Sequence, residues 1–531
     1  METPLSCQNS MMKHRRSRVL IGLGILSLVV MAIGLGFYFR SEQAYRRYER
    51  KLLSAGEKLK VSDWLPAPPP DGKNGAMLFR RVMASLPSSA TLYLGTNGPH
   101  AMKMCAPGKA IVGWEQPNVS DESPTSWNEA LEVFDQVRSG LEELDQLEEH
   151  PRLDFDLDYY QGFTLLLPHL SQDKNAAQQL AFATLFDLHR KDLQSAARRI
   201  HLSLTLVEAM RHEPLVISQL VRVAMVHINA TATWELLQAP DVPDELLADL
   251  QRHWAAQAFA TGAENALGME RAMARMTAEQ MRTSSSQFRA ISSGVMSMSS
   301  ASSLPTGGTW YEKALAATAA KSRETLWRMA FSYPDQLRAM KGQQALIDSV
   351  RMVQQGEPFA KALEIQTKKL LAIGIQRAAD EDKGFRFDMM DPELSSLFSN
   401  SVRSLERFII RILKSEVASR LTTTALALKR YKLAHGAFPE SLDALVPKYL
   451  TTIPLDPSDG KALRYRLESD GKFKLYSIGE DGVDNGGDPS SKENATSFSW
   501  QMGRDIVWPQ PATAEEAQTF LKSQIEKKRK R

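Results

Sequence analysis

Apolar residues fall along this chain in three patterns, and each predicts a different kind of element. The first is an uninterrupted run, VLIGLGILSLVVMAIGLGFYF from Val19 to Phe39, with no charged residue in it. As a helix it rises about 31 Å, matching a hydrocarbon core of about 30 Å, so it predicts a bilayer span. A cleaved leader would have a shorter apolar region followed by small residues, whereas Phe37, Tyr38, Phe39 and Arg40 close this one. Lys13, Arg15, Arg16 and Arg18 precede the run, and Arg40, Arg46, Arg47, Arg50 and Lys51 follow it, so the flanking positive charge is nearly balanced. A lone N-terminal anchor on a large body favours a short tail inside and the body outside.

The second pattern is helical periodicity. Between Asn175 and Gln251 apolar residues recur every three to four positions, with breaks at His189–Asp192, Arg211–Pro214 and Ala239–Pro243. This predicts antiparallel helices burying their stripes on one another. Leu215 to Trp234 is apolar enough to suggest a second span, but Gln219, Arg222, His227 and Asn229 interrupt it, which makes a buried helix of a water-facing body the better reading. Ser41 to Lys60 continues the first helix in polar form, and Trp64 to Gly72 is a Pro-rich spacer. Ala76 to Leu86 reads as a short amphipathic helix, followed by an irregular stretch to Pro124, and Trp127 to Glu149 as an acidic helix. Asp154, Asp156 and Asp158 alternate with Leu153, Phe155 and Leu157, predicting a half-buried strand; a calcium-loop opening is the weaker alternative, because Tyr159 replaces the turn glycine. Thr283 to Gly308, rich in Ser, Met and Gly, reads as a flexible loop. Tyr311 to Asp380 is helical again, Asp391-Pro392 starts a short element, and Ser401 to His435 makes a long helix with an apolar stripe from Leu405 to Tyr431.

These readings divide the chain into a tail (1–18), a transmembrane helix (19–39), a juxtamembrane helix and spacer (40–72), two helical halves (73–282 and 309–400) around the 283–308 loop, a C-terminal domain (401–510) and a basic tail (511–531). The fold class expected is mainly α with a small α+β C-terminal domain. A formal net charge of +3 over 531 residues implies no general nucleic-acid affinity. Cys7 and Cys105, the only cysteines, flank the predicted span and so cannot pair. Lys527 to Arg531 reads as a solvated tail, with contact to anionic lipid as the alternative. Motifs for zinc hydrolases, serine hydrolases and phosphate-binding loops are absent, and the ten histidines are scattered singly.

The third pattern is the break of a short apolar run, Leu475 to Ile478, into an acidic, glycine-rich loop. Glu480, Asp481, Asp484, Asn485 and Asp488 supply side-chain oxygens, while Gly482, Gly486 and Gly487 free the backbone to fold around a hard cation. This predicts a calcium loop, and a solvated Asp/Gly loop without an ion is the alternative. Leu463 to Arg466 and Phe473 to Ile478 read as strands joined by a Ser469–Lys472 turn, and Gly436 with Pro439 ends the long helix.

Residues Ala425 to Pro439, Ser441 to Val446, Ile453-Pro-Leu-Asp-Pro457, Leu463 to Arg466, Leu475 to Gly482 and Arg504-Asp-Ile506 together resemble the globular part of the type II secretion major pseudopilin. That family implies a long helix, a short second helix and a small antiparallel sheet, with an acidic loop that binds calcium. It adds Asp505 to the cation set. It also departs: the predicted span lies far upstream of the long helix, and no prepilin-peptidase site is present. The body, around Pro70 to Ala76, Leu167-Pro-His-Leu170 and Glu213 to Val221, resembles large membrane-anchored bacterial proteins carrying the same module. These resemblances imply a single-pass inner-membrane protein with its large C-terminal part on the periplasmic side and protein partners in the cell envelope. The expected function is a non-enzymatic helical scaffold. The alternative is an enzyme or ligand-binding protein whose site lies in a cleft of the body, drawing on residues such as Asp154, His189, His212 or Glu213.

Overall fold

The structure is a computed structural model, and it describes residues 5–86, 101–119, 126–298, 321–375, 397–490 and 499–529. The chain is mainly helical with a small sheet part near its C-terminal end. It divides into two compact units, one made of 1–60, 271–344 and 371–403, the other of 61–270, 345–370 and 404–531.

The first unit is organised by helix α1, Leu5–Ser54, which carries the predicted span and the polar segment after it as one element. Side chains of 1–24, 26–27 and 30 lie outside the described residues. Past them, Ile25, Leu28, Val29, Met31, Ile33, Leu35, Phe37 and Phe39 are exposed, Ile33 at 67%. Among the described residues no helix is long and apolar enough to cross a membrane. Below Arg40 the helix turns inward, and Tyr45, Leu52 and Leu59 form a core with Tyr333 and Met340. Arg275 pairs with Glu49 at 2.6 Å and Arg271 with Glu57 at 2.9 Å, fixing the register of this polar segment. Buried Asp335 accepts the Phe398 and Ser399 amides and the Ser399 hydroxyl, capping the start of the long helix.

The second unit is built on stacked helices: α2 (Ala76–Ser85), α3 (Trp127–Glu143), α4 (His169–His189), α5 (Leu193–Ala209), α6 (Val216–Gln238) and α7 (Asp244–Ala255). Their breaks fall where the periodicity placed them. Helix α6 is buried within this stack, as its polar interruptions imply. Arg222 is fully buried, donates to the carbonyls of Val207 and Ala258 and lies 4.4 Å over the Phe259 ring. Farther along the chain, α8 (Ala260–Thr283), α10 (Ser332–Gln354), α11 (Phe359–Ala372) and α12 (Ser399–His435) each contribute residues to both units, and α9 (Ser285–Met298) belongs to the first.

Two small sheets complete the second unit. Strands β1 (Lys103–Ala106) and β2 (Lys109–Ile111) form an antiparallel hairpin in the stretch read as irregular, and β2 pairs in parallel with β6 (Gln510–Pro511). The predicted strand pair is present as β3 (Arg464–Leu467) against β4 (Phe473–Ser477), with β5 (Ile506–Val507) on the other edge of β4. Gly436, at φ +82°, ends α12.

Four expectations are corrected. Residues 153–158 form no strand: Asp156 is left-handed at φ +55°, and the Asp154 side chain accepts its amide in a tight turn. The predicted loop from Thr283 begins as helix α9, where Phe288 is buried with its ring 5.4 Å from that of Trp327; 299–308 lies outside the described residues. The basic tail contains helix α13, Ala514–Arg529, started by a reciprocal Thr513–Glu516 capping box. Finally, the C-terminal segment is not a unit of its own. Trp234 donates to Pro509 at 2.8 Å, Gln251 to Tyr449 at 2.6 Å, and Arg430 forks onto Asp244, all within the second unit. The element read at Asp391-Pro392 lies outside the described residues.

Candidate functional site

The acidic loop is built around one carboxylate. Asp505, 0% exposed, stands just before β5 and accepts the amides of Gly487 at 2.7 Å, Asn485 at 3.1 Å and Asp488 at 3.2 Å, while its own amide donates to the Asp488 carbonyl. The glycines make this geometry possible. Gly487 sits at φ +75°, and a β-carbon there would meet Lys474 Cδ at 2.7 Å. Successive left-handed residues turn their N–H groups to one side, which makes a nest for an anion, and here the anion belongs to the chain itself.

The other candidate ligands face different partners. Asp484 accepts from the Gly486 amide and the Tyr476 hydroxyl and lies 3.4 Å from Arg464; the Gly486 bond chiefly holds its carboxyl below the ordinary range. Asp488 accepts from the Ser490 hydroxyl and amide, Asp481 from the Val483 amide, and Glu480 pairs with Lys414 at 3.3 Å. The Asn485 amide group donates to the Val483 carbonyl. Thus Glu480, Asp481, Asp484, Asn485 and Asp488 share one loop and Asp505 meets it from the start of β5, and each of the five carboxylates accepts from, or pairs with, an N–H or O–H donor. Asp484 and Glu480 each face a cationic side chain, Arg464 and Lys414.

A second carboxylate ties this loop to the rest. Asp456, also 0% exposed, accepts from the Ser477 hydroxyl at 2.7 Å, the Ile478 amide at 2.9 Å and Arg464 at 3.2 Å. Arg464 forks onward to Asp459 at 2.5 Å, and that bond is the main cause raising the guanidinium's pKa. Asp456 belongs to the Ile453–Pro457 motif, yet a role for it is not legible from spacing alone, because its partners come from two separate strands.

The body holds its own buried polar groups. Glu213, on the α5–α6 link, accepts from His169 at 3.0 Å and from Ser218, and both Asp173 oxygens are buried without a hydrogen-bond partner. Burial, then the Glu213 charge, drives the Asp173 pKa well up. The remaining residues of the cleft reading make separate contacts. His189 stacks on Trp127 at 4.1 Å and bonds the Trp114 carbonyl, Asp154 closes its own turn, and His212 is exposed. Glu235, fully buried on α6, accepts the amides of Met102 and Gly113 and so seats the β1–β2 hairpin; burial pushes its carboxyl up to about 8.

One open cleft of about 700 Å³ lies among the α7–α8 link, α11, α12 and the 450–455 segment, with Glu416, Arg420, Thr261 and Thr452 on its walls. Glu416 accepts the Phe259 and Ala260 amides at the start of α8, so it is already committed to a structural contact. Among the described residues, the one group of three His, Cys, Asp or Glu side chains close enough to share an ion is His201, Asp249 and His253. Reading the histidines singly missed it. The signal available was Asp249 and His253 at i, i+4 on α7, which puts them on one helix face.

No family model, no curated protein and no solved structure matches this chain.

Proposed function

We propose that the protein is a non-enzymatic, membrane-anchored scaffold of the bacterial envelope, with a C-terminal pseudopilin-like module that meets protein partners outside the inner membrane. The observation that carries it is the band of exposed apolar side chains on α1 from Ile25 to Phe39, continuous with the charge-free run from Val19. Leaving so many large apolar groups in water is unfavourable by about 25 cal/mol per Å² of apolar surface, and lipid removes that cost. Support for a scaffold rather than a catalyst comes from the carboxylates of the acidic loop, each engaged by donors of the loop itself, of nearby strands or, for Glu480, of Lys414 on α12. Calcium enters as an added stabiliser, supported by the loop's composition.

Alkaline extraction of native membranes tests the anchor. The full chain stays in the pellet, and a variant lacking 1–40 moves to the supernatant; release of the full chain by carbonate overturns the anchor. A ligand-binding reading is favoured by the 700 Å³ cleft. Its test is Arg420→Ala with Thr452→Ala, scored by loss of any small molecule that co-purifies with the protein.

A further inference from the structure

We infer that His201, Asp249 and His253 form a binding site for a borderline divalent transition metal of the zinc class, separate from the acidic loop. One nitrogen of each imidazole and one carboxylate oxygen of Asp249 lie within 4.8 Å of one another. His201 Nδ1 is 3.1 Å from Asp249 Oδ2. A tetrahedral ion with ligand bonds of about 2.0–2.1 Å has ligand-to-ligand edges of about 3.3 Å, and the His201–Asp249 separation is already close to that edge.

The ligands stand on rigid elements. Asp249 and His253 are one turn apart on α7, and His201 comes from the adjacent α5, so binding would order little that is not ordered already. The two rings lie 3.8 Å apart, centroid to centroid. Around them, Arg252 donates to the other oxygen, Asp249 Oδ1, at 2.6 Å, which leaves Oδ2 for the ion, and the Asp249 carbonyl accepts from His253 Nδ1 at 2.9 Å, which leaves Nε2 as that ring's ligand atom. Glu148 adds a further negative charge near His201. Such outer contacts orient first ligands and set their tautomers. Two imidazoles with one carboxylate suit zinc, cobalt or nickel, whereas calcium and magnesium take oxygen sets. Side-chain exposures of 25%, 32% and 35% leave an entry path and room for water to complete the coordination.

The test uses untagged full-length protein in detergent, stripped with chelator, then titrated with Zn²⁺ by calorimetry and with Co²⁺ by visible absorption. A one-to-one isotherm and a cobalt spectrum with nitrogen-ligand bands are expected. His201→Ala and His253→Ala should each weaken binding by about tenfold or more, while the melting temperature in chelator stays unchanged. His150→Ala should bind as wild type. Wild-type protein without saturable binding overturns the site, as do alanine variants that bind like wild type. Should an alanine variant unfold, Asp249→Asn decides, since it keeps the side chain's shape: an unchanged isotherm overturns the proposal.

Discussion

Asp505 behaves as the anion of a nest formed by its own loop, so its removal strands several amide donors at once. Asp505→Ala should destabilise the loop on the order of 3 kcal/mol, the scale of hydrogen bonds to a charged group. Hydrogen exchange at the Asn485, Gly487 and Asp488 amides reads this directly, and unchanged protection there would remove the clamp. Glu235 allows a pH prediction. Its carboxyl, raised by burial from 4.5 to about 8, keeps in the folded state a proton that the unfolded chain releases near pH 4.5. Its contribution to stability is therefore full below about pH 4.5 and falls as pH rises toward 8. Glu235→Gln keeps an acceptor for the Met102 and Gly113 amides and removes the titration. The drop in melting temperature between pH 5 and pH 8 should be smaller in the variant than in wild type, and equal slopes would count against this assignment.

At the scale of elements, patterning explains most helices and fails where a single local contact decides. Helices α4 to α7 break at Arg190–Asp192, at Glu213-Pro214 and at Pro240–Pro243, where turn residues and prolines leave little alternative. The strands β3 and β4 were equally legible, since alternation and a Ser-Asp-Gly-Lys turn specify them. By contrast, α13 hangs on the Thr513–Glu516 box in a stretch whose composition reads as a tail. Thr513→Ala should cost about 1 kcal/mol and raise exchange across 514–529. Packing adds a constraint that no local pattern announces. A β-carbon on Gly268 of α8 would lie 2.2 Å from Trp64 Cζ2, so Gly268→Ala should lower stability by about 1–3 kcal/mol in thermal unfolding.

At the scale of the molecule, the C-terminal module is hydrogen-bonded to helices of the second unit. Lys429, Arg430, Tyr449 and Pro509 find partners on α6 and α7 or in the turn between them. A fragment of 401–510 should therefore give a poorly dispersed amide spectrum, while the chain lacking only 1–40 gives a native one; a well-dispersed fragment would show that the module folds alone. Calcium is best tested in that longer protein. A melting temperature that rises with calcium and returns with chelator supports the ion's role, and an unchanged one leaves the Asp505 clamp to act by itself.

From sequence alone came the apolar run at 19–39, the helical stack, the β3–β4 hairpin and the acidic loop, because each depends on residues close in the chain, through periodicity, turn chemistry or local charge. Only the tertiary structure decided which groups those elements bring together. It turned the loop's amides onto Asp505, joined Asp456 to two strands, set the C-terminal strands against the body, and placed His201 beside Asp249 and His253. Those choices rest on contacts between residues tens to hundreds of positions apart, where packing and the need to satisfy buried polar groups, rather than local pattern, select the partner.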